Sequence, residues 1–158
     1  ESPVFMEGMI QEATAIHEAH PEYLERSLKQ KILETDDNPF DSEYFTNIEH
    51  ADSRDEPLRE DSPCIVIATS GMLEGGPVLE YFRNFAPDKR NKILFVSYQV
   101  NGTLGRRVMD GARQVTIMGQ DGKVQVVTIN CGTEKLEGFS GHSDYNQLMS
   151  ICTKIKTK

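Results

Sequence analysis

The stretch Gly138-Phe139-Ser140-Gly141-His142-Ser143-Asp144 contains several residues with an evident structural role and one without. The glycines suit a turn. Asp144, with Gln147 three residues on, fits a capping box, or Ser143 takes the N-cap. His142 has no such explanation, because turn and cap are complete without an imidazole. A histidine just before a helix amino terminus suits phosphate recognition or proton donation to a leaving oxygen. The competing account is a histidine satisfied by packing, and the residues alone leave both open.

Two upstream stretches carry related chemistry. Thr69-Ser70-Gly71-Met72-Leu73-Glu74-Gly75-Gly76-Pro77 ends an apolar run and opens a helix. Gly71, Gly75 and Gly76 let the backbone approach an anion closely, and a helix amino terminus favours negative charge. The Thr69 and Ser70 hydroxyls add donors. A tight strand-to-helix turn would use the same glycines. Neither a Walker loop nor a G-x-G-x-x-G fingerprint is present. Asn101-Gly102-Thr103-Leu104-Gly105-Arg106-Arg107 repeats the geometry with two guanidinium forks, shaped for phosphate oxygens. Arg106 and Arg107 point in different directions, so at most one faces the loop. A solvated helix face is the plainer account.

The remaining histidines and the thiols carry less. His17 and His20 have a helical spacing that would suit metal, but no third ligand stands near them in sequence; His50 lies in an acidic, solvated stretch. Cys64, Cys131 and Cys152 are widely spaced beside apolar residues, which reads as buried reduced thiols in a cytoplasmic protein rather than a zinc site.

These loops need elements to hold them. Ser2–Met6 reads as a strand, and the apolar spacing of Met9, Ala13, Ile16 and then Leu24, Leu28, Ile32 reads as two helices meeting at Pro21. Residues 44–48 suggest a strand and 53–60 a helical turn. Cys64–Gly71 is a continuous apolar run, expected as a strand buried on both faces, followed by a helix with Pro77 in its first turn. Residues 92–99 are expected as a second such strand, before a helix at 102–112 that opens on glycine. Arg113–Asn130 reads as a β-hairpin near residues 115–129, and Asp144–Lys156 as a helix with Leu148, Ile151, Cys152 and Ile155 on one face. The alternation predicts an α/β, Rossmann-like fold, a largely parallel sheet flanked by helices. In such sheets ligands bind at the carboxyl edge, where the three loops would gather.

Composition sets limits. The 158 residues fit one domain with its own core, and no apolar run is long enough to cross a bilayer. The net charge of −8 argues against general nucleic-acid affinity. It is unevenly spread: residues 34–61 hold eleven acids against Arg54 and Arg59, whereas Arg106, Arg107, Arg113, Lys123, Lys154, Lys156 and Lys158 lie downstream. A local basic surface on an acidic domain fits this pattern. The opening at Glu1, directly before a strand, suits an internal piece of a longer polypeptide.

Together, Ile67–Phe82, Tyr98–Val108 and Leu136–Met149 resemble, in order and spacing, the β-CASP domain of metallo-β-lactamase-superfamily ribonucleases. That family includes the endonuclease of the cleavage and polyadenylation specificity factor and ribonuclease J. Phe5–Leu24 is most similar to the archaeal members. The resemblance covers residues 1–158 as one β-CASP cap domain, with the metallo-β-lactamase nuclease domain of the same polypeptide outside the chain. It implies that His142 sits beside a two-zinc site, holds the scissile phosphate and acts as general acid. It implies RNA or phosphate contacts at Ser70, Gly71, Met72, Gly75, Gly76, Gly102, Thr103, Arg106, Arg107, Ser140 and Gly141. The zinc signature H-x-H-x-D-H is not in this sequence, so the two ions belong to the full-length enzyme and none to this piece, which alone is expected to be inactive. The implied partner is single-stranded RNA in 3′-end processing or decay, with no membrane and room for a homodimer of the full-length protein. A non-catalytic RNA-binding scaffold of the same superfamily and an independent nucleotide-binding module are the alternatives.

Overall fold

The computed structural model describes residues 2–35, 38–40, 43–59, 62–119, 122–139 and 142–155. Strand β1 (Val4–Glu7) is central to a parallel three-stranded sheet, between β2 (Thr46–Asn47) and β3 (Ile65–Ala68). The register pairs Val4 with Ile65 and Glu7 with Ala68, so both strands leave the sheet at the same edge. A second parallel pair joins β4 (Lys92–Phe95) to β7 (Gly132–Lys135), with Phe95 beside Lys135. The antiparallel hairpin expected at 115–129 is β5 (Gln114–Met118) with β6 (Val124–Thr128). The α/β reading therefore holds, with parallel pairing in every crossover unit described.

Helices α1 (Ile10–Ala19) and α2 (Arg26–Glu34) meet at a single 3-10 turn, Pro21–Tyr23, where the proline cannot extend the first helix. A 3-10 turn at Ala51–Arg54 runs into the short α3 (Asp55–Arg59). Helix α4 (Val78–Phe85) follows the first glycine loop, with Pro77 at its N-cap rather than inside its first turn. Helix α5 (Leu104–Met109) follows the second, and α6 (Tyr145–Lys154) the third.

The core lies where α4, α5, β4 and the hairpin converge. Phe82, Ala86, Phe95, Val108, Val115, Ile117, Val127 and Ile129 are all buried there, with Leu73 from the first loop. Alternation in the hairpin sends Val115, Ile117 and Val127 inward and Thr116, Met118 and Val126 outward. The Ala86 carbonyl accepts from the amides of Asn130 (2.8 Å) and Cys131 (3.0 Å), which fastens the end of α4 to the chain entering β7.

Three expectations change, for β3, for the thiols and for β4, which ends at Phe95 rather than residue 99 and leaves Leu94 50% exposed. Strand β3 is not buried on both faces: Ile65 and Ile67 are 52% and 39% exposed, because no element among the described residues lies over that side. Of the thiols only Cys131 is buried; Cys64 is half-buried and Cys152 exposed on α6, whose apolar residues Leu148, Ile151 and Ile155 also face outward. Strand β7 was not legible at all. Gly132-Thr133-Glu134-Lys135 has neither β-branched density nor alternation and is exposed along its length. Main-chain pairing to β4 makes it a strand, assisted by Lys92 Nζ to Glu134 Oε2 at 2.9 Å.

One buried charge ties the parallel sheet to its surroundings. Glu7, 6% exposed at the end of β1, accepts from Arg54 Nε (2.8 Å) and Nη2 (2.6 Å) and from the Tyr81 hydroxyl (2.7 Å) of α4. A buried carboxylate is tolerable only when paired in this way. Burial first, then the hydrogen bond to Glu7, raises the Tyr81 phenol above the ordinary tyrosine range. Arg54→Met strands the carboxylate and is expected to cost about 3–5 kcal/mol in denaturant unfolding; the double variant Glu7→Leu/Arg54→Met should recover most of that loss. Unfolded tyrosine ionises near pH 10, at about its reference value, while Tyr81 in the folded state keeps its proton. The unfolded state thus sheds protons first, and folding stability should decline above that pH. Tyr81→Phe should flatten the decline.

Candidate nucleic-acid interface at the carboxyl edge

The first two glycine loops are locked together at the carboxyl ends of β3 and β4, strands of two separate parallel sheets. Gln99, 1% exposed, donates from Nε2 to the Gly71 carbonyl (2.9 Å) and the Ser97 carbonyl (3.2 Å). The Gly105 amide donates to the Met72 carbonyl at 2.8 Å. A side chain at 105 would put its Cβ 2.8 Å from that carbonyl oxygen and against Gln99 Oε1; one at 71 would stand 2.9 Å from Ser97 Oγ. Both glycines are required by proximity, not by backbone angle. Gly76 differs, with φ +76° and its Cβ position 2.9 Å from the Thr69 carbonyl.

Within the first loop, the Ser70 amide donates to Gly75, Leu73 to Ser70 and Val78 to Thr69, which winds the chain into the start of α4. The amides of Met72, Gly75 and Gly76 donate to no other described residue. They are the donors this loop offers an anion. Thr69 Oγ1 accepts from the Met9 amide (3.2 Å), which fixes the loop to the turn between β1 and α1 as well.

The second loop spends its polar groups internally. Thr103 Oγ1 donates to the Val100 carbonyl (2.7 Å) and accepts from the Arg106 amide (3.2 Å) as N-cap of α5. Glu74 Oε1 accepts from the Leu104 amide at 2.5 Å, so a carboxylate of the chain itself occupies the start of α5. Gly102, at φ +95°, is open on its Cβ side. The two arginines separate as expected. Arg106 Nε donates to both Asp110 oxygens (3.0 and 2.8 Å), and that hydrogen bond raises its pKa. Arg107 is exposed with no partner among the described residues, which leaves its guanidinium for an external anion.

The third loop reaches the same edge through β7, because the Leu136 amide donates to the Phe95 carbonyl (2.9 Å) as the chain leaves. Ser140 and Gly141 lie outside the described residues. His142 is exposed. The choice of N-cap is resolved: Asp144 accepts from the Gln147 amide (2.8 Å), and Gln147 Oε1 accepts from the Asp144 amide (2.9 Å), a complete capping box that does not involve Ser143. His17 is exposed, with its ring nitrogen on the Ala13 carbonyl and its face on Phe40, and His50 is exposed. No cluster of three or more His, Cys, Asp or Glu forms among the described residues, so the residues present do not fit a zinc ion. No described helix is long and apolar enough to cross a membrane.

Sequence reasoning overlooked Gln99 and Glu74, which fasten the loops from side chains of unremarkable type. Their only signal was adjacency to the glycines.

Comparison with known proteins bears on the whole arrangement. Residues 1–108 match the Beta-Casp domain model, across β1 to α5 and both interlocked loops. The chain belongs to the β-CASP family. Beyond the hairpin turn of this β-CASP chain, residues 126–158 match the Zn-dependent metallo-hydrolase RNA specificity domain. A protein of Cenarchaeum symbiosum named transcription termination factor FttA is 75% identical over 158 residues. Proteins of the same name from Methanocaldococcus jannaschii and Pyrococcus abyssi are 47% identical over 155 residues and 45% over 158. The matches cover 98–100% of this chain and 24% of each relative, so the chain spans about a quarter of their length.

The interlock is directly testable. Gly105→Ala should lower stability by about 1–3 kcal/mol through overpacking against Met72 and Gln99. Gly132→Ala, whose Cβ would find only ordinary contacts at 3.6 Å or more, should stay within about 0.5 kcal/mol. Thermal melts of the two variants side by side make the comparison.

Proposed function

We propose that residues 1–158 are the RNA-binding cap domain of a longer metallo-β-lactamase-superfamily ribonuclease acting in transcript 3′-end formation. The observation that carries this is the pair of interlocked glycine loops within the Beta-Casp match, with the amides of Met72, Gly75 and Gly76 and the Arg107 guanidinium without a partner among the described residues. The Zn-dependent RNA specificity match supports RNA as the polymer and zinc as the metal of the full-length protein. The relatives' name, transcription termination factor, favours nascent transcripts over general RNA decay.

In this reading, neutral amides and the Arg107 fork hold phosphates of a single strand. Gly71 and Ser70 shape the backbone that presents those amides; Gly102, Thr103 and Arg106 hold the second loop and its helix in place. Ser140 and Gly141, outside the described residues, belong to the proposed phosphate contacts. The His142 imidazolium donates a proton to the oxygen that leaves the cleaved phosphodiester. Metal ligands would come from the nuclease domain of the same polypeptide. The steps assigned to this chain are phosphate holding and proton donation. The protein would act in the cytoplasm, and a homodimer of the full-length protein is compatible with every surface described.

One observation favours a second reading: the relatives are named as factors, not nucleases, which suits a scaffold that grips RNA without cutting it. His142→Ala in the full-length protein separates the two. The expected outcome is cleavage slowed about 10²- to 10⁴-fold, with RNA affinity and zinc content unchanged. Undiminished turnover would remove His142 from the chemistry. A wild-type protein that binds RNA but holds no zinc and cuts nothing would leave the scaffold.

A further inference from the structure

Tyr98 stands where the two glycine loops meet, and nothing so far accounts for it. It is 66% exposed, although the residue on either side is anchored. Gln99 is 1% exposed and hydrogen-bonded to both Gly71 and Ser97, and Ser97 Oγ sits directly over Gly71. Exposed aromatic rings usually ride on mobile loops, where ordering them on binding costs entropy. This ring is fixed at its root before any ligand arrives.

Its surroundings combine phosphate-type donors with the side chains of Val96 and Val100, 50% and 45% exposed. The phenol lies within electrostatic reach of the Arg106 guanidinium, which Asp110 holds in place. The Met72 amide, one residue from the Gly71 carbonyl that Gln99 grips, has no partner among the described residues. Arg107 is exposed on the same helix as Arg106. A flat ring beside phosphate-type donors matches the repeat of single-stranded RNA, a base face alternating with a charged phosphate.

We propose that Tyr98 is a base-stacking platform that holds one nucleobase of single-stranded RNA next to the phosphate held by the glycine loops. The inference rests on the RNA-binding reading above and adds a base-binding position to it. Stacking on an aromatic face is tolerant of sequence, so Tyr98 supplies affinity and register, not base identity.

The test uses the full-length protein and a single-stranded RNA oligonucleotide with cleavage-resistant phosphorothioate linkages. Tyr98→Ala is expected to weaken binding about ten- to a hundredfold, while Tyr98→Phe and Tyr98→Trp keep wild-type affinity because the ring face suffices. An abasic site walked along the oligonucleotide should, at one position, weaken the wild-type protein as much and weaken Tyr98→Ala no further. The abasic walk on the wild type reports even if Tyr98→Ala fails to fold. Wild-type affinity in Tyr98→Ala overturns the proposal. So does a walk in which no position costs the wild type affinity, or in which every position leaves the Tyr98→Ala deficit unchanged, since the ring would then pack on protein. A wild-type protein that does not bind the RNA overturns the RNA-binding reading itself, and this proposal with it.

Discussion

The arrangement of the carboxyl edge depends on one close approach of two backbones. The Gly105 amide meets the Met72 carbonyl at 2.8 Å, and the contact exists only because residue 105 lacks a side chain. Everything at the edge follows from it. The first loop is pinned between β3 and α4, the second between β4 and α5, and the contact makes the two move as one surface. Gln99 reinforces it from below, where its amide is shielded from water and competes with no solvent. Its Oε1 has no conventional donor and rests over Gly105, where a Cα–H contact is the available compensation.

The Glu7 cluster performs the same service one layer further in. Glu7 is the last residue of β1, and its own carbonyl accepts from Thr69, the first residue of the glycine loop, at 3.3 Å. Its side chain is held by Arg54 and Tyr81. Arg54 comes from the acidic segment, and Tyr81 from the helix the loop feeds. A segment rich in carboxylates thus contributes a cation to the interior and leaves the acids among its described residues in water. The pairing gives the otherwise polar stretch a defined seat on the sheet. It adds specificity more than stability, since an apolar trio of the same volume would pack as well.

What was legible in the sequence follows a physical divide. Apolar periodicity and turn residues found β1 to β6 and all the longer helices, although among those helices only α4 buries residues. The same signal could not say what covers a face: Ile65 and Ile67 call for a neighbour that the described residues do not supply. Strand β7 was invisible, since its residues are strand-like only by virtue of the partner they pair with. At the site, the glycines were legible as to place but not as to cause. Gly71 read as a point of anion approach or a turn former and Gly105 had no reading of its own, whereas both serve close approach within the chain, a three-dimensional requirement with no sequence signature of its own. The cap of α6 was legible down to two candidates, Ser143 and Asp144, because a capping box is local, and the structure selects Asp144.

Net charge gives the surface its remaining logic. A domain at −8 cannot gather RNA by broad electrostatic attraction, and a basic groove would be opposed by its own carboxylates. Main-chain amides avoid that conflict. They carry no net charge to desolvate, yet converge on an anion when the backbone is wound as it is between Ser70 and Val78. An aromatic face is equally indifferent to the field around it. If the edge binds RNA, an acidic domain reaches it through shape, amides and stacking, with Arg107 as the lone unpaired fork among the described residues of that helix. Binding of this kind releases few counterions and so depends weakly on salt. An acidic protein that meets the transcript in this way discriminates against duplex DNA, whose stacked bases have no face to offer.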